Sequence, residues 1–397
     1  MGIKKLEYEV RFLTPAFLGN AEQNGQWRTP PFKALLRHWW RVAYAADHGF
    51  EVDIERMRRE EGVLFGNAWL SKPDNPKKPD YSKSLVRLRI SCWDKGKLRT
   101  WQGLEQDSVQ HPETQRTNYR VGPHAYLGYG PLDARGGTRM AKERKSAINV
   151  GESAVLSLAY RSYHQCSEIQ QILTDNLDRI PVSFWLMDRY GSVGGRSRNG
   201  WGSIALTSHG DLRLSEFNAA KFSRHWQEAL ELDWPHALGR DDSGLLVWET
   251  RTLNDWKTLM RELAVIKIGL RTQFVFPNER STHRDIEPRH YLSYPITNHR
   301  TNRWKGDMRL PNSLRFKVRE TPEGELKGVI FHVPCKPPEK VKQNQEMLLK
   351  TWQAVHELLD ELSLPATSRT YRMITNNQRR DYLKESLERV NLCRGAE

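Results

Sequence analysis

The stretch GSVGGRSRNGWGS, residues 191–203, places five glycines (Gly191, Gly194, Gly195, Gly200, Gly202) around Arg196, Arg198 and Trp201. It reads either as a slack linker or as a backbone shaped to lie against an anion. A flexible linker is a Gly/Ser repeat joining separate bodies, and this stretch is not one. PVSFWLMDRY (181–190) before it reads as a helix or short turn, and Ser203 to Leu206 after it begins a strand. Glycine permits left-handed backbone and close approach to a ligand. Backbone N–H groups flanked by arginine forks can cradle phosphate. Trp201 could stack on a base, a contact of about 1–3 kcal/mol. A large aromatic opening a strand is nevertheless expected to face inward as a core anchor.

Working outward, KLEYEVRFL (5–13) alternates apolar and polar residues and reads as a strand. PPFKALLRHWWRVAYAAD (30–47) reads as a helix entered at its prolines, with Phe32, Leu35, Leu36, Trp39 and Val42 at helical spacing. A second helix is predicted over 53–61, and strands over 63–70 and 84–92 on either side of a polar, proline-rich loop. Residues 93–148 form a long insertion with weak periodicity. GESAVLSLAY (151–160) is a strand and CSEIQQILTDNLD (166–178) a helix. Stripped of extras, the order is β-α-β-β-α-β, the ferredoxin-like arrangement. It predicts a first domain over 1–210 with an insertion at about 93–148, and a second domain over 211–397.

The second half predicts helices over 215–232 and 252–263 and a strand over 264–276. A hairpin follows over 313–320 and 327–334. A long helix over 338–362 carries the apolar stripe Met347, Leu348, Trp352, Val355 and Leu359. A second, more divergent α+β unit is the expectation. A chain of 397 residues fits two cores.

Charge points to the partner. The chain has 62 Lys+Arg against 48 Asp+Glu, a net charge of +14, and a pI near 9.6. Such a surplus suits a polyanion. The bases cluster: Arg116, Arg120, Arg135, Arg139, Lys142, Arg144 and Lys145 face only Asp133 and Glu143, and ten bases stand against four acids between Arg271 and Lys317. On the 30–47 helix, Lys33, Arg37 and Trp40 or Arg41 share a face.

Catalytic signatures are missing. The sequence has no Walker loop, dinucleotide fingerprint, HExxH or Gly-x-Ser-x-Gly. His283, Asp285, Glu287 and His290 form one polar cluster, but arginines interleave it and a proline breaks its spacing, so a solvated loop is expected there and no metal. Cys92, Cys166, Cys335 and Cys393 are too scattered for a zinc site or a disulfide framework. No cofactor is expected. No apolar run approaches the roughly eighteen residues of a membrane span, and the start does not read as a signal peptide. The expectation is a cytoplasmic protein without membrane contact.

FLTPAFLGN (12–20), RTPPFKALLRHWWR (28–41) and GSVGGRSRNGWGSI (191–204) together resemble the RAMP superfamily of CRISPR systems. The resemblance is closest to the first-numbered subunit family of the Cmr complex, the type III-B effector. Thr14, Pro15 and Gly19 match its first element. Arg28, Pro30, Lys33, Leu36, Arg37, Trp39, Trp40 and Arg41 match its tryptophan helix, and Gly194, Gly195, Arg196, Ser197, Arg198, Gly200, Gly202 and Ser203 match its glycine loop. HAYLGYG (124–130) and LSYPITN (292–298) share its character. Asn20, the Phe32-Lys33-Ala34 triplet and Asn199 depart from it.

The resemblance implies an α+β fold of two ferredoxin-like, RRM-like domains with a glycine-rich loop and insertions. It implies a non-catalytic subunit of an antiviral ribonucleoprotein, placed near the 3′ portion of the guide RNA and the 5′ portion of the target RNA, with other RAMP subunits as neighbours. The RNA path is expected along Gly194, Gly195, Arg196, Ser197, Arg198, Asn199 and Gly200. Lys33, Arg37, Trp40 and Arg41 extend it, as do Arg135, Arg139, Lys142, Arg144 and Lys145. The alternatives are a guide-processing ribonuclease using His38, His124 or His164, or an adaptor that never touches RNA.

Overall fold

The computed structural model describes residues 3–389 apart from 73–74, 103, 106–107, 112–119, 135–136, 162, 209–215, 278–281, 305–307, 339–343 and 370–386. The chain divides into two compact units, and the division differs from a single cut near 210. The first unit takes 1–99, 144–195 and 202–222; the second takes 100–143, 196–201 and 223–397.

The first unit is built on strand β1 (Ile3–Phe12), whose inward residues Tyr8, Val10 and Phe12 are buried. Helices α1 (Thr29–Asp47) and α2 (Ile54–Phe65) follow, then β2 (Arg87–Ile90), β3 (Ser153–Arg161), α3 (Ser167–Leu177), α4 (Arg179–Tyr190) and β4 (Ile204–Ser208). The strands lie in the order β4-β1-β3-β2, every pair antiparallel. Prolines 30 and 31 open α1 where a missing N–H costs nothing, and Asp53 caps α2 by accepting from the N–H groups of Glu55 and Arg56. Asn67–Lys72 and Asn75–Ser82 form a separate hairpin across the stretch expected to be an irregular loop. The residues expected to start a strand at 63 belong to α2, which runs on to Phe65.

In the second unit, β5 (Val247–Thr250) is followed by helix α5 (Trp256–Thr272), the hairpin β6 (Leu314–Glu320) and β7 (Leu326–His332), helix α6 (Gln345–Leu362) and β8 (Leu387–Arg389). The sheet order is β6-β7-β5-β8, again all antiparallel. Counted along the chain within each unit, both sheets have the order fourth-first-third-second.

Two expectations fail here. Residues 264–272 are helix, not strand. Ala264, Val265, Ile266, Ile268 and Leu270 are all buried, so α5 is covered on several sides and its apolar run carries no helical period. Residues 215–232 are not a long helix. Their described part is a short turn (Ala219–Phe222), a three-residue strand (Ser223–His225) and one helical turn (Trp226–Ala229). No helix among the described residues is long and apolar enough to cross a membrane.

Candidate nucleic-acid interface

The glycine stretch is shared between the units, with 191–195 and 202–203 in the first and 196–201 in the second. In the first unit its backbone presses on its own chain. Gly202 has φ +65°, and a Cβ there would lie 1.9 Å from the Val193 carbonyl oxygen, so no other residue fits. Val193 N–H donates to Gly202 O (2.9 Å), Gly195 N–H to Phe17 O (3.0 Å) and Gly202 N–H to Pro15 O (2.9 Å). Ser203 N–H donates to Thr14 Oγ1 (3.0 Å). Four N–H groups of the stretch, those of Val193, Gly195, Gly202 and Ser203, therefore hold the loop in shape instead of facing a ligand.

In the second unit, residues 196–201 are woven into the sheet and helix α5. Phe316 N–H donates to Arg198 O at 3.0 Å, which extends the edge at β6. Arg198 Nη1 reaches Asn312 O at 3.3 Å, and burial depresses the basicity of this guanidinium. Asn199 is buried; its amide donates to Leu127 O at 2.7 Å, and its carbonyl accepts from Lys267 Nζ. Gly200 is buried against Met260. Trp201 is fully buried in a cluster with Trp101, His124 and Trp256, at ring-centroid distances of 5.4, 6.0 and 6.1 Å. As expected, it is a core anchor.

Arg196 behaves differently from Arg198. It is exposed, and its backbone is left-handed with φ +60°. Its Nη2 lies 3.4 Å from where a Cβ on Gly130 would sit. Its basicity is lowered by desolvation and then by the guanidiniums of Arg271 and Arg309, while the Tyr129 phenol acts in the other direction. Lys267 is buried, its ammonium lies 5.7 Å from the centre of the Phe316 ring, and its pKa falls well below the usual lysine value through burial and then through Arg271 and Arg196. Among the described residues, none of Arg196, Lys267, Arg271 and Arg309 is ion-paired with a carboxylate. Three guanidiniums beside a buried amine that resists protonation attract an anion strongly.

The other expected positions are scattered. Trp40 must be corrected: it is fully buried, donates to Asn176 Oδ1 at 3.1 Å, and packs on Tyr44 and Phe65, because α1 is covered by α2 and α3 on that side. Arg37 and Arg41 both grip the buried carboxylate of Glu61, at 2.7 and 2.8 Å. Lys33 Nζ lies 3.5 Å from Ser84 Oγ. Arg139 pairs with Asp133 at 3.2 Å, Lys142 and Lys145 are exposed, and Ser197 is half-buried in the loop. Arg144 packs over Phe17, 5.5 Å from the ring centre, in the first unit. Phe17 is also the residue whose carbonyl holds Gly195, and Gly194 packs against it. Arg135 and Arg116 lie outside the described residues.

The histidines are engaged. His290 caps its own short helix by accepting from Glu287 N–H (2.9 Å), and its other nitrogen meets His299 O at 3.0 Å. His283 pairs with His299 at 3.0 Å, and Asp285 pairs with Arg303. His124 is buried, 3.0 Å from Lys257 O, with its pKa lowered to about 4 by burial. His164 accepts from Cys166 N–H, and His38 packs against the Trp39 ring. Among the described residues no group of three or more His, Cys, Asp or Glu could hold a metal ion.

Tyr129, Lys267, Arg271 and Arg309 were not singled out from sequence. Tyr129 sits in the HAYLGYG element, Arg271 and Arg309 only in the base count of 271–317, and Lys267 in the segment read as a strand.

Neither a protein-family model nor a curated protein sequence matches the chain. Among solved structures it is similar to Cmr1 from Pyrococcus furiosus in its apo form, at 16% identity and TM-score 0.40 over 87% of this chain and 93% of that one. It is also similar to a chain of the type III-B Cmr-beta complex bound to cognate target RNA, at 12% identity and TM-score 0.45, covering 88% and 99%. A chain of a type IV-B CRISPR complex aligns over 54% and 94%, at 12% identity and TM-score 0.28. Likenesses of this size say nothing of what the present chain binds.

Proposed function

We propose that this chain is an RNA-binding subunit of a type III CRISPR ribonucleoprotein, built on two ferredoxin-like units. It holds guide RNA near its 3′ portion, target RNA, or both, beside other RAMP subunits in the cytoplasm. One observation carries the RNA reading: Arg196, Lys267, Arg271 and Arg309 gather without a carboxylate partner among the described residues. The three sequence elements quoted above supply the ribonucleoprotein, and the fourth-first-third-second strand order of both sheets supports the ferredoxin-like units.

The subunit positions RNA and does not cut it. Of the three histidines considered as bases, His124 is buried and neutral, and His164 is tied to a neighbouring backbone N–H. Labelled RNA should stay intact during long incubation with the protein, with or without divalent metal; specific cleavage would overturn this part.

Binding is tested on Arg196→Ala combined with Arg309→Ala, both exposed positions. Each lost phosphate contact should flatten the dependence of log K on log salt by about 0.7 for a single strand. An unchanged salt slope would remove RNA from this site.

A further inference from the structure

Tyr129 exposes 57% of its surface, although Gly128 before it and Leu127 before that are buried. A tight turn presents it: Gly130 N–H donates to Leu132 O at 3.1 Å, and Gly130 has φ +107°. The same glycine is where the Arg196 guanidinium lies, its Nη2 3.4 Å from the position of an added Cβ. An exposed aromatic ring therefore belongs to the residue before the glycine that Arg196 approaches, and Tyr129, Arg271 and Arg309 all act on the Arg196 charge. A bare aromatic face is costly in water and suits a flat apolar partner. A nucleobase is such a partner, and its own phosphate supplies the charge the guanidiniums lack.

We propose that the second unit binds one unpaired nucleotide of the RNA, with its phosphate against Arg196, Arg271 and Arg309 and its base stacked on Tyr129. This deepens the RNA-binding reading above and rests on it. The site is selective for single strands, because within a duplex each base face is already covered by its neighbours and only a splayed base can reach an aromatic side chain. It is tolerant of sequence, because every base has a π-face. Gly130 is favoured beside it because its φ of +107° is a left-handed backbone that side chains rarely adopt.

The test uses the full chain and a short single-stranded RNA carrying 2-aminopurine, whose fluorescence is quenched on stacking, moved along the strand position by position. Wild type should quench the probe at one position. Tyr129→Ala should lose that quench and bind about 5- to 150-fold more weakly with an unchanged salt slope, as expected for one lost stack. Tyr129→Trp should keep both quench and affinity. A blunt RNA duplex should bind alike to wild type and Tyr129→Ala. If Tyr129→Ala quenches and binds the single strand as wild type does, the nucleotide site is wrong while RNA binding stands. If wild type does not bind the single strand at all, the RNA reading itself fails.

Discussion

Lys267 donates from its buried ammonium to the side-chain carbonyl of Asn199, whose amide in turn donates to Leu127 O. The glycine loop is thus tied to helix α5 by an amide that can face only one way. Arginine in place of Asn199 would set a second cation against Lys267, because the neutral amide accepts where a guanidinium could only donate.

The RNA binding proposed above should depend on pH through Lys267. Burial, Arg271 and Arg196 hold the Lys267 pKa well below the usual lysine value in the free protein. A phosphate arriving at this cluster favours the charged amine and raises that pKa, so binding takes up a proton. Affinity should rise as pH falls from the alkaline side toward the free-protein pKa, by up to tenfold per pH unit. Lys267→Met should bind with a flatter pH profile, measured by titrating RNA at fixed salt across the neutral and alkaline range. Parallel profiles for wild type and variant would refute the linkage.

Arg196 occupies left-handed backbone at φ +60°, a conformation that costs a non-glycine residue about 1–2 kcal/mol. Glycine at 196 would remove that strain and lose about 0.5–1 kcal/mol to its greater chain entropy. Arg196→Gly should therefore leave the melting temperature unchanged or slightly raised, while weakening RNA binding and its salt dependence. Calorimetry and a binding titration on the same sample check both. A clear loss of stability would mean the guanidinium is a structural strut, like that of Arg198.

How much of this was readable in advance depends on what each residue packs against. β1 and β3 carry clean apolar periods because each covers the core with one face, so their places were legible. Helix α5 is buried on several sides, which erased its period and hid Lys267 inside an apparent strand. Trp40 was placed on the basic face because helical spacing alone gives α1 one core side, whereas α2 and α3 supply another. Arg37 and Arg41 share a face with spacing suited to a ligand, yet Glu61, twenty residues or more away, takes both. Arg196 and Arg198 look equivalent in sequence; only the edge pairing of residues 198–199 with Phe316 turns one inward. Tyr129 had no distinguishing signal, since exposure is set by the turn at Gly130 and the loop that crosses it.

Trp201 anchors the loop from beneath. It is fully buried among Trp101, His124 and Trp256. Trp201→Ala should cost about 3–5 kcal/mol, the usual price of deleting a buried large aromatic. Denaturant unfolding gives the value directly. RNA affinity should fall as well, because residues 196–200 lose their floor; a loss of affinity without any loss of stability would place Trp201 at the surface against RNA.

His124 makes the second unit acid-sensitive. Its pKa is lowered to about 4 by burial, whereas an unfolded histidine titrates near 6.5. Between those values the unfolded chain binds a proton that the folded one refuses, so stability is complete above about pH 6.5 and is lost as pH falls toward 4. The shift corresponds to roughly 3 kcal/mol over that window. His236 and His290 are lowered to about 4 as well, again first through burial, and add to the same trend. His124→Gln keeps a side-chain donor for Lys257 O and removes one titrating group. Its urea midpoint should fall less steeply with acidification than that of wild type, with the remaining slope due to the other histidines whose pKa burial lowers, His236, His290, His299 and His332. Identical slopes in the two proteins would show that His124 is protonated in the folded state.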